Sequence, residues 1–237
     1  MTALVIAHRG FSARHPENSL KAFEAAIAAG ADAIETDMHL SRDGVPMCSH
    51  DPDLKRLHGR PEAIADVDAA ELERLGIERL ATALETVRGR IRVMLDLKLT
   101  TEAEFALGFA VVNEFGMGAD VFAGVRAIGL VPIVKRLCPE ATLLGLLRQP
   151  SDLPAFYAAG GAIGRLWEAE ATRAGIAVAK DGDHGVWVTA GGRGGGGTGD
   201  INATALKRLY ADGADGADGV IVNDPAQALA VRVESGR

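Results

Sequence analysis

His8-Arg9-Gly10, Glu35 and Asp37 within ADAIETDMHL, and His50-Asp51 all fall near the start of the chain. They are parts for metal-assisted phosphoryl chemistry. In a strand, residues i and i+2 share a face, so AIETDM (33–38) puts both carboxylates on one side. Two carboxylates that close repel unless something positive sits between them, and hard divalent cations prefer carboxylate oxygens. His8 and His50 add groups that titrate near neutral pH and suit acid and base roles. Arg9 adds a planar fork that can grip a phosphate.

IRVMLDLKLT (91–100) completes the set. It reads as a buried strand with Asp96 and Lys98 on one face and Leu95, Leu97 and Leu99 turned outward against helices. Asp96 is a candidate third metal ligand, and Lys98 a candidate neutraliser of a phosphate oxygen. A simple Asp96–Lys98 salt bridge is the competing reading for that pair.

These residues need elements to position them, and the chain supplies a regular alternation. Strands are expected near 3–8, 32–38, 92–98, 120–126, 142–147, 162–167, 184–189 and 218–222. Helices are expected at 18–29, 68–88, 101–115, 129–137, 151–159, 169–174, 202–211 and 225–233. Asn18 or Ser19 offers a cap for the first helix, and Gly30, Gly116 and Gly160 fit helix stops. Eight strand–helix units in 237 residues predict a TIM (β/α)8 barrel, with a doubly wound open sheet as the alternative. The barrel is favoured because polar motifs follow strands of different units and would converge at one mouth. Residues 39–67 interrupt the alternation. They read as a small insertion after the second strand, with a turn at Asp43-Gly44, so the whole of 1–237 reads as one domain.

Composition narrows the class. Hydrophobic residues are 48% and charged residues 24%, an ordinary globular balance, and the net charge is −7 with no basic run. That argues against nucleic acid as a partner but not against a small anionic substrate. Cys48 and Cys138 suggest no disulfide framework. No signal peptide or membrane span is read, so a cytoplasmic protein is expected. Oligomeric state is left open.

The chain resembles the glycerophosphodiester phosphodiesterase family. The matching stretches are His8-Arg9-Gly10, Pro16-Glu17-Asn18-Ser19-Leu20, GADAIETDMHLSRDG (30–44), His50-Asp51 with Leu54 and Arg56, LDLK (95–98), VWVTAGG (186–192) and DGVIVNDP (218–225). The resemblance implies a TIM barrel that hydrolyses glycerophosphodiesters to glycerol 3-phosphate and an alcohol with a divalent metal, Mg²⁺ or Ca²⁺. It also implies that His8 and His50 are the acid/base pair, and that Glu35 and Asp37 hold the metal, with Asp96 as third ligand. Arg9 and Lys98 fall on phosphate-contacting positions, and Trp187 on an aromatic near the pocket.

Three departures bear on the substrate. Asp96 stands where the family usually has glutamate, which shortens the reach by about 1.5 Å. VFAGVRAIGL (121–130) lacks the family's Ser-Phe. The loop AGGRGGGGTGD (190–200) is unusually rich in glycine; it reads as a flexible loop, although its backbone N–H groups could meet phosphate. Lysophospholipid and sugar phosphodiesters are therefore alternative substrates, and a non-catalytic barrel binding metal or phosphate is the alternative outside enzymes. His39 continues the Glu35, Asp37 row, but a loop role is expected for it. Glu17 is expected to hold Arg9 in place.

Overall fold

The computed structural model describes residues 2–193, 197–210 and 216–236. Among these residues nine strands form one sheet: β1 (Leu4–Ala7), β2 (Ala33–Leu40), β3 (Pro46–Cys48), β4 (Arg92–Leu97), β5 (Val121–Val125), β6 (Thr142–Gly145), β7 (Ile163–Trp167), β8 (Gly185–Thr189) and β9 (Gly219–Val222). All but β3 are parallel neighbours in the order β1-β2-β4-β5-β6-β7-β8-β9. β1 pairs with both β2 and β9, so the ring closes and the open-sheet alternative is excluded.

Helices alternate with the strands: α1 (Leu20–Ala29), α2 (Lys55–His58), α3 (Ala69–Arg74), α4 (Leu80–Val87), α5 (Glu102–Glu114), α6 (Val131–Leu137), α7 (Leu153–Ala158), α8 (Arg173–Ala179), α9 (Ala203–Leu209) and α10 (Pro225–Glu234). The strands read as continuous apolar runs because both faces are covered. Outward residues such as Val5, Ile34, Leu95 and Leu97 pack with Phe23, Phe105 and Phe109 of the helices. Inward residues Ile6, Ala33, Met94, Phe122, Leu144, Trp187 and Ile221 form a separate apolar plug inside the barrel. Polar inward residues are left to the C-terminal ends of the strands, where barrel chemistry sits.

The insertion folds as expected at its start. β2 runs on to Leu40, the chain turns through Gly44 at φ 76, and β3 returns antiparallel, pairing Met38 with Cys48. The rest closes over a small core of its own, including Met47, Leu54, Ile64, Val67 and Leu72.

Three local expectations are corrected. The single helix expected over 68–88 is two, because Gly76 at φ 84 ends α3 and the chain then rises so that Glu78 O accepts from Cys48 N at 2.8 Å. The helix expected at 169–174 begins later, at Arg173. Residues 168–172 form turns after β7, and the Thr172 hydroxyl caps the helix by accepting from Gly175 N. Gly175, easily read as a breaker, is needed there: a Cβ would lie 2.1 Å from Glu170 O. Asn18 does not cap α1. Ser19 does, through a 3.2 Å bond from Ala22 N, and Asn18 turns inward at φ 55.

Directly after β1, Arg9 (φ 54) and Gly10 (φ 76) both adopt left-handed backbone. The bend lets the chain pass close to α1, where a Cβ on Gly10 would meet Ala22 backbone carbon at 2.7 Å. Backbone cannot yield as a flexible side chain can. Gly10→Ala should therefore destabilise the fold by about 2–4 kcal/mol, measured as a shift in the urea-unfolding midpoint.

Candidate active site

The parallel register of β2 and β4 builds the centre. Asp37 stands directly beside Asp96, and Glu35 beside Met94, one layer deeper. Glu35, Asp37 and Asp96 each offer an oxygen, and these lie within 4.8 Å of one another. All three residues are buried. Burial pushes the Glu35 carboxyl well above the usual range, and the nearby Asp37 and Asp96 push it further.

Three cations offset this crowding. Lys98 Nζ lies 2.9 Å from Asp37 Oδ1 and 2.6 Å from Asp96 Oδ2. Arg126 binds Asp96 through both oxygens, at 2.9 and 2.5 Å. Burial works against ionisation of Asp96, yet Lys98 and Arg126 outweigh it and hold the carboxyl below its usual range. Arg9 Nε lies 3.5 Å from Asp37 Oδ2, while the Arg9 backbone N–H donates to Glu35 Oε2 at 2.8 Å. The Asn18 amide donates to Asp37 Oδ2 at 3.1 Å and accepts from the Thr36 hydroxyl at 2.8 Å.

Both histidines reach the same cavity, which has a volume of about 270 Å³. His8 leaves the end of β1, and its Nδ1 lies 2.7 Å from Asn223 Oδ1, just past β9. The Asn223 amide nitrogen donates to Thr198 O and Asp200 Oδ1, so its oxygen faces His8, which must hold its proton on Nδ1. Burial, then the charge of Arg9, lowers the His8 pKa to about 4. His50 comes from the loop after β3, with Nδ1 2.7 Å from Asp51 Oδ1. Arg56 fastens that loop, donating to Asp51 at 2.5 Å and to both oxygens of Glu17 at 2.8 and 2.6 Å. Glu17 in turn accepts from Arg9 at 2.9 Å.

Seven of the eight residues singled out in the sequence line this cavity: His8, Arg9, Glu35, Asp37, His50, Asp96 and Lys98. Trp187 does not. Its ring is 1% exposed in the apolar plug, edge-on to Phe122 at 4.5 Å, in space left by Gly219. Strand alternation puts Trp187 a layer below Thr189, which does reach the cavity. The aromatic at the mouth is Trp167, from β7. His39 lies beside the cavity in an adjoining groove, its Nε2 3.3 Å from His50 O. Cys48 is buried and its thiol is pushed up to about 12 by burial, so it is no nucleophile. Of the glycine run, residues 194–196 lie outside the described residues. Gly191 N–H is taken by Glu168 at 2.8 Å and Gly199 N–H by Ala190 O at 2.7 Å.

Sequence reasoning missed Asn223, Arg126 and Arg165. For Arg126 and Arg165 a cue was present: each is a charge at the end of, or inside, an otherwise apolar strand, as Glu35 and Asp96 are. Asn223 carries no such cue, because its role depends on β9 closing against β1.

The acidic triad could hold a metal ion. The donor set is all carboxylate, suited to a hard cation, and the mutual repulsion that raises Glu35 is what such an ion relieves. The same repulsion makes Lys98 structurally important. In EDTA, Lys98→Met should cost about 3–5 kcal/mol in urea unfolding, because it leaves two buried carboxylates short of a partner. A cost below about 1 kcal/mol would mean the triad is not charged as described.

Comparison with known proteins points one way. Residues 8–120 match the model of the Glycerophosphoryl diester phosphodiesterase family. A glycerophosphodiester phosphodiesterase of Bacillus altitudinis is 34% identical over 108 residues, covering 40% of this chain and 44% of that protein. The alignments thus span less than half the length of the curated relatives. A crystal structure of glycerophosphodiester phosphodiesterase from Agrobacterium tumefaciens superposes with a TM-score of 0.77 at 25% identity, covering 98% of this chain and 100% of that one. An Oleispira antarctica phosphodiesterase, solved with the product sn-glycerol-3-phosphate, shares the fold at TM-score 0.79 and 20% identity, covering 97% and 96%.

Proposed function

Because this chain belongs to the glycerophosphoryl diester phosphodiesterase family, we propose that it hydrolyses glycerophosphodiesters to sn-glycerol 3-phosphate and an alcohol, with a divalent metal. The observation that carries the proposal is the single cavity lined by two histidines, three carboxylates, Arg9 and Lys98. The reading takes 1–237 as one barrel domain, with 39–67 its insertion.

Glu35, Asp37 and Asp96 would hold Mg²⁺ or Ca²⁺, which when bound supplies Lewis-acid polarisation of a phosphate oxygen. Arg9 and Lys98 share the remaining charge of the phosphate as it grows in the transition state. His8 is the general base. With its proton held on Nδ1 by Asn223 and its pKa near 4, it presents an unprotonated Nε2 at neutral pH. It takes a proton from the nucleophile, which is water or the substrate hydroxyl beside the ester. His50, oriented through Nδ1 by Asp51, protonates the leaving alcohol near the cavity rim, where its side chain is 36% exposed.

A second reading concerns what the glycerol carries. His50 also borders a larger groove with Leu57, Leu75 and Ile77 among its walls, about 760 Å³. The acyl chain that a lysophospholipid bears on its glycerol would find cover there.

The test is turnover of glycerophosphocholine and bis(p-nitrophenyl) phosphate in EDTA, Mg²⁺ and Ca²⁺ side by side. Metal-dependent release of glycerol 3-phosphate is expected. No turnover with any metal in folded protein would favour a non-catalytic binding barrel. His8→Ala and His50→Ala should each fold and lose about 10²–10⁴ in kcat; near-wild-type activity in either would sink the assignment. As pH falls, kcat/KM should hold until His8 protonates, so its acidic limb should lie near pH 4 and not near the ordinary 6.5.

A further inference from the structure

The cavity contains a cation that the proposed chemistry does not use. Arg165 sits in the middle of β7, pointing inward between Ile163 and Trp167, and is 9% exposed. Its guanidinium lies over the Trp167 ring, 4.2 Å from the centroid. Nε and Nη1 are buried and have no hydrogen-bond partner. Among the described residues, Arg9, Lys98 and Arg126 each have a carboxylate within ion-pair distance, and Arg165 has none. Burial is costly for such a group, and unpartnered donors add to the cost. Burial lowers the Arg165 pKa, but only to about 10, so the charge remains at neutral pH.

Position separates Arg165 from the phosphate-binding wall. In the eight-stranded ring β7 lies opposite β2, so Arg165 faces Glu35 and Asp37 across the barrel. Below it the cavity is closed by apolar residues, including Met94 and Ile221. A ligand group reaching Arg165 therefore belongs to the half of the substrate that lies inside, away from the leaving alcohol at the His50 rim.

Charge selects the kind of group. Of the four cations lining the cavity, Arg9 is paired with Glu17, and Lys98 and Arg126 with Asp37 and Asp96, so Arg165 is the one whose charge no near carboxylate answers among the described residues. A divalent ion would add positive charge, and a diester phosphate carries one negative charge. A hydroxyl could accept a single bond from Arg165 but would leave the positive charge in place. An oxyanion answers both the charge and the fork geometry.

We infer that Arg165 forms a second anion subsite, and that the diester turned over here carries a carboxylate or further phosphate on its inner half. This rests on the phosphodiesterase reading and revises one half of it: an acidic group stands where glycerol has a hydroxymethyl, and simple glycerophosphodiesters are turned over less well.

The experiment is calorimetric titration of metal-depleted protein in EDTA with 3-phosphoglycerate and with sn-glycerol 3-phosphate. The two probes differ by a carboxylate in place of a hydroxymethyl group. The carboxylate should tighten binding about tenfold or more, as a charge-assisted bond does. Arg165→Gln should erase most of that preference, and Arg165→Lys should keep part of it. Equal binding of the two probes by the wild type overturns the inference, whether or not the variants fold. So does a preference that survives in Arg165→Gln. Hydrolysis of glycerophosphocholine, measured beside it, separates the two proposals. Turnover without carboxylate preference removes the subsite and leaves the hydrolase. Carboxylate preference without turnover of any diester removes the hydrolase and leaves the subsite.

Discussion

Three carboxylates buried within 4.8 Å of one another are the constraint around which the mouth of this barrel is arranged. Parallel register alone brings Asp37 beside Asp96, and burial makes their charge expensive. The structure offsets that cost from several directions at once. Lys98 bridges the two aspartates, Arg126 takes the outer face of Asp96, and Asn18 and the Arg9 backbone approach from the β1 side. Asp96 is shorter than the glutamate expected there, and both its oxygens are engaged by cations that come from its own strand end and from β5.

A second network sets the positions of the histidines. Left-handed backbone at Arg9 and Asn18 aims both side chains inward from a tight turn. Glu17 links Arg9 to Arg56, and Arg56 links Glu17 to Asp51, which orients His50. His50 is therefore tied to the first strand although it comes from the insertion. His8 is tied instead to the last strand, through Asn223.

Much of this was legible in the sequence. The eight barrel strands fall where apolar runs bounded by turn residues put them, because a strand covered on both faces leaves a compact, unbroken signal. Seven of the eight chosen residues share one cavity, because a charge at the end of a buried strand has few places to go. What failed was what depends on contacts distant in sequence. Trp187 sits beside strand-end motifs in sequence, yet its depth is set by the space Gly219 leaves on the neighbouring strand. Asn18 looked like a cap, and only the approach of Asp37, nineteen residues away, gives it another partner. The late start of α8 turns on how Gly175 fits against Glu170, which no local pattern reveals.

The order of strands around the ring has one more consequence. β1, β2 and β4 are adjacent and carry His8, Arg9, Glu35, Asp37, Asp96 and Lys98, while His50 hangs from β2 by its hairpin. The opposite arc, β5 to β8, contributes Arg126, Arg165, Trp167 and Thr189. One side of the barrel thus holds the histidines and the carboxylates, and the other shapes the space facing them. The stretch matched by the family model, residues 8–120, ends just before that second arc begins. The two arcs share the apolar plug below the mouth, and at the mouth they meet through the Arg126–Asp96 pair, so the far wall's rim residues can be recut for a different ligand while the facing wall keeps its geometry. Asn223, just past β9 and beside β1, belongs to neither arc, and a change there would reach His8 directly.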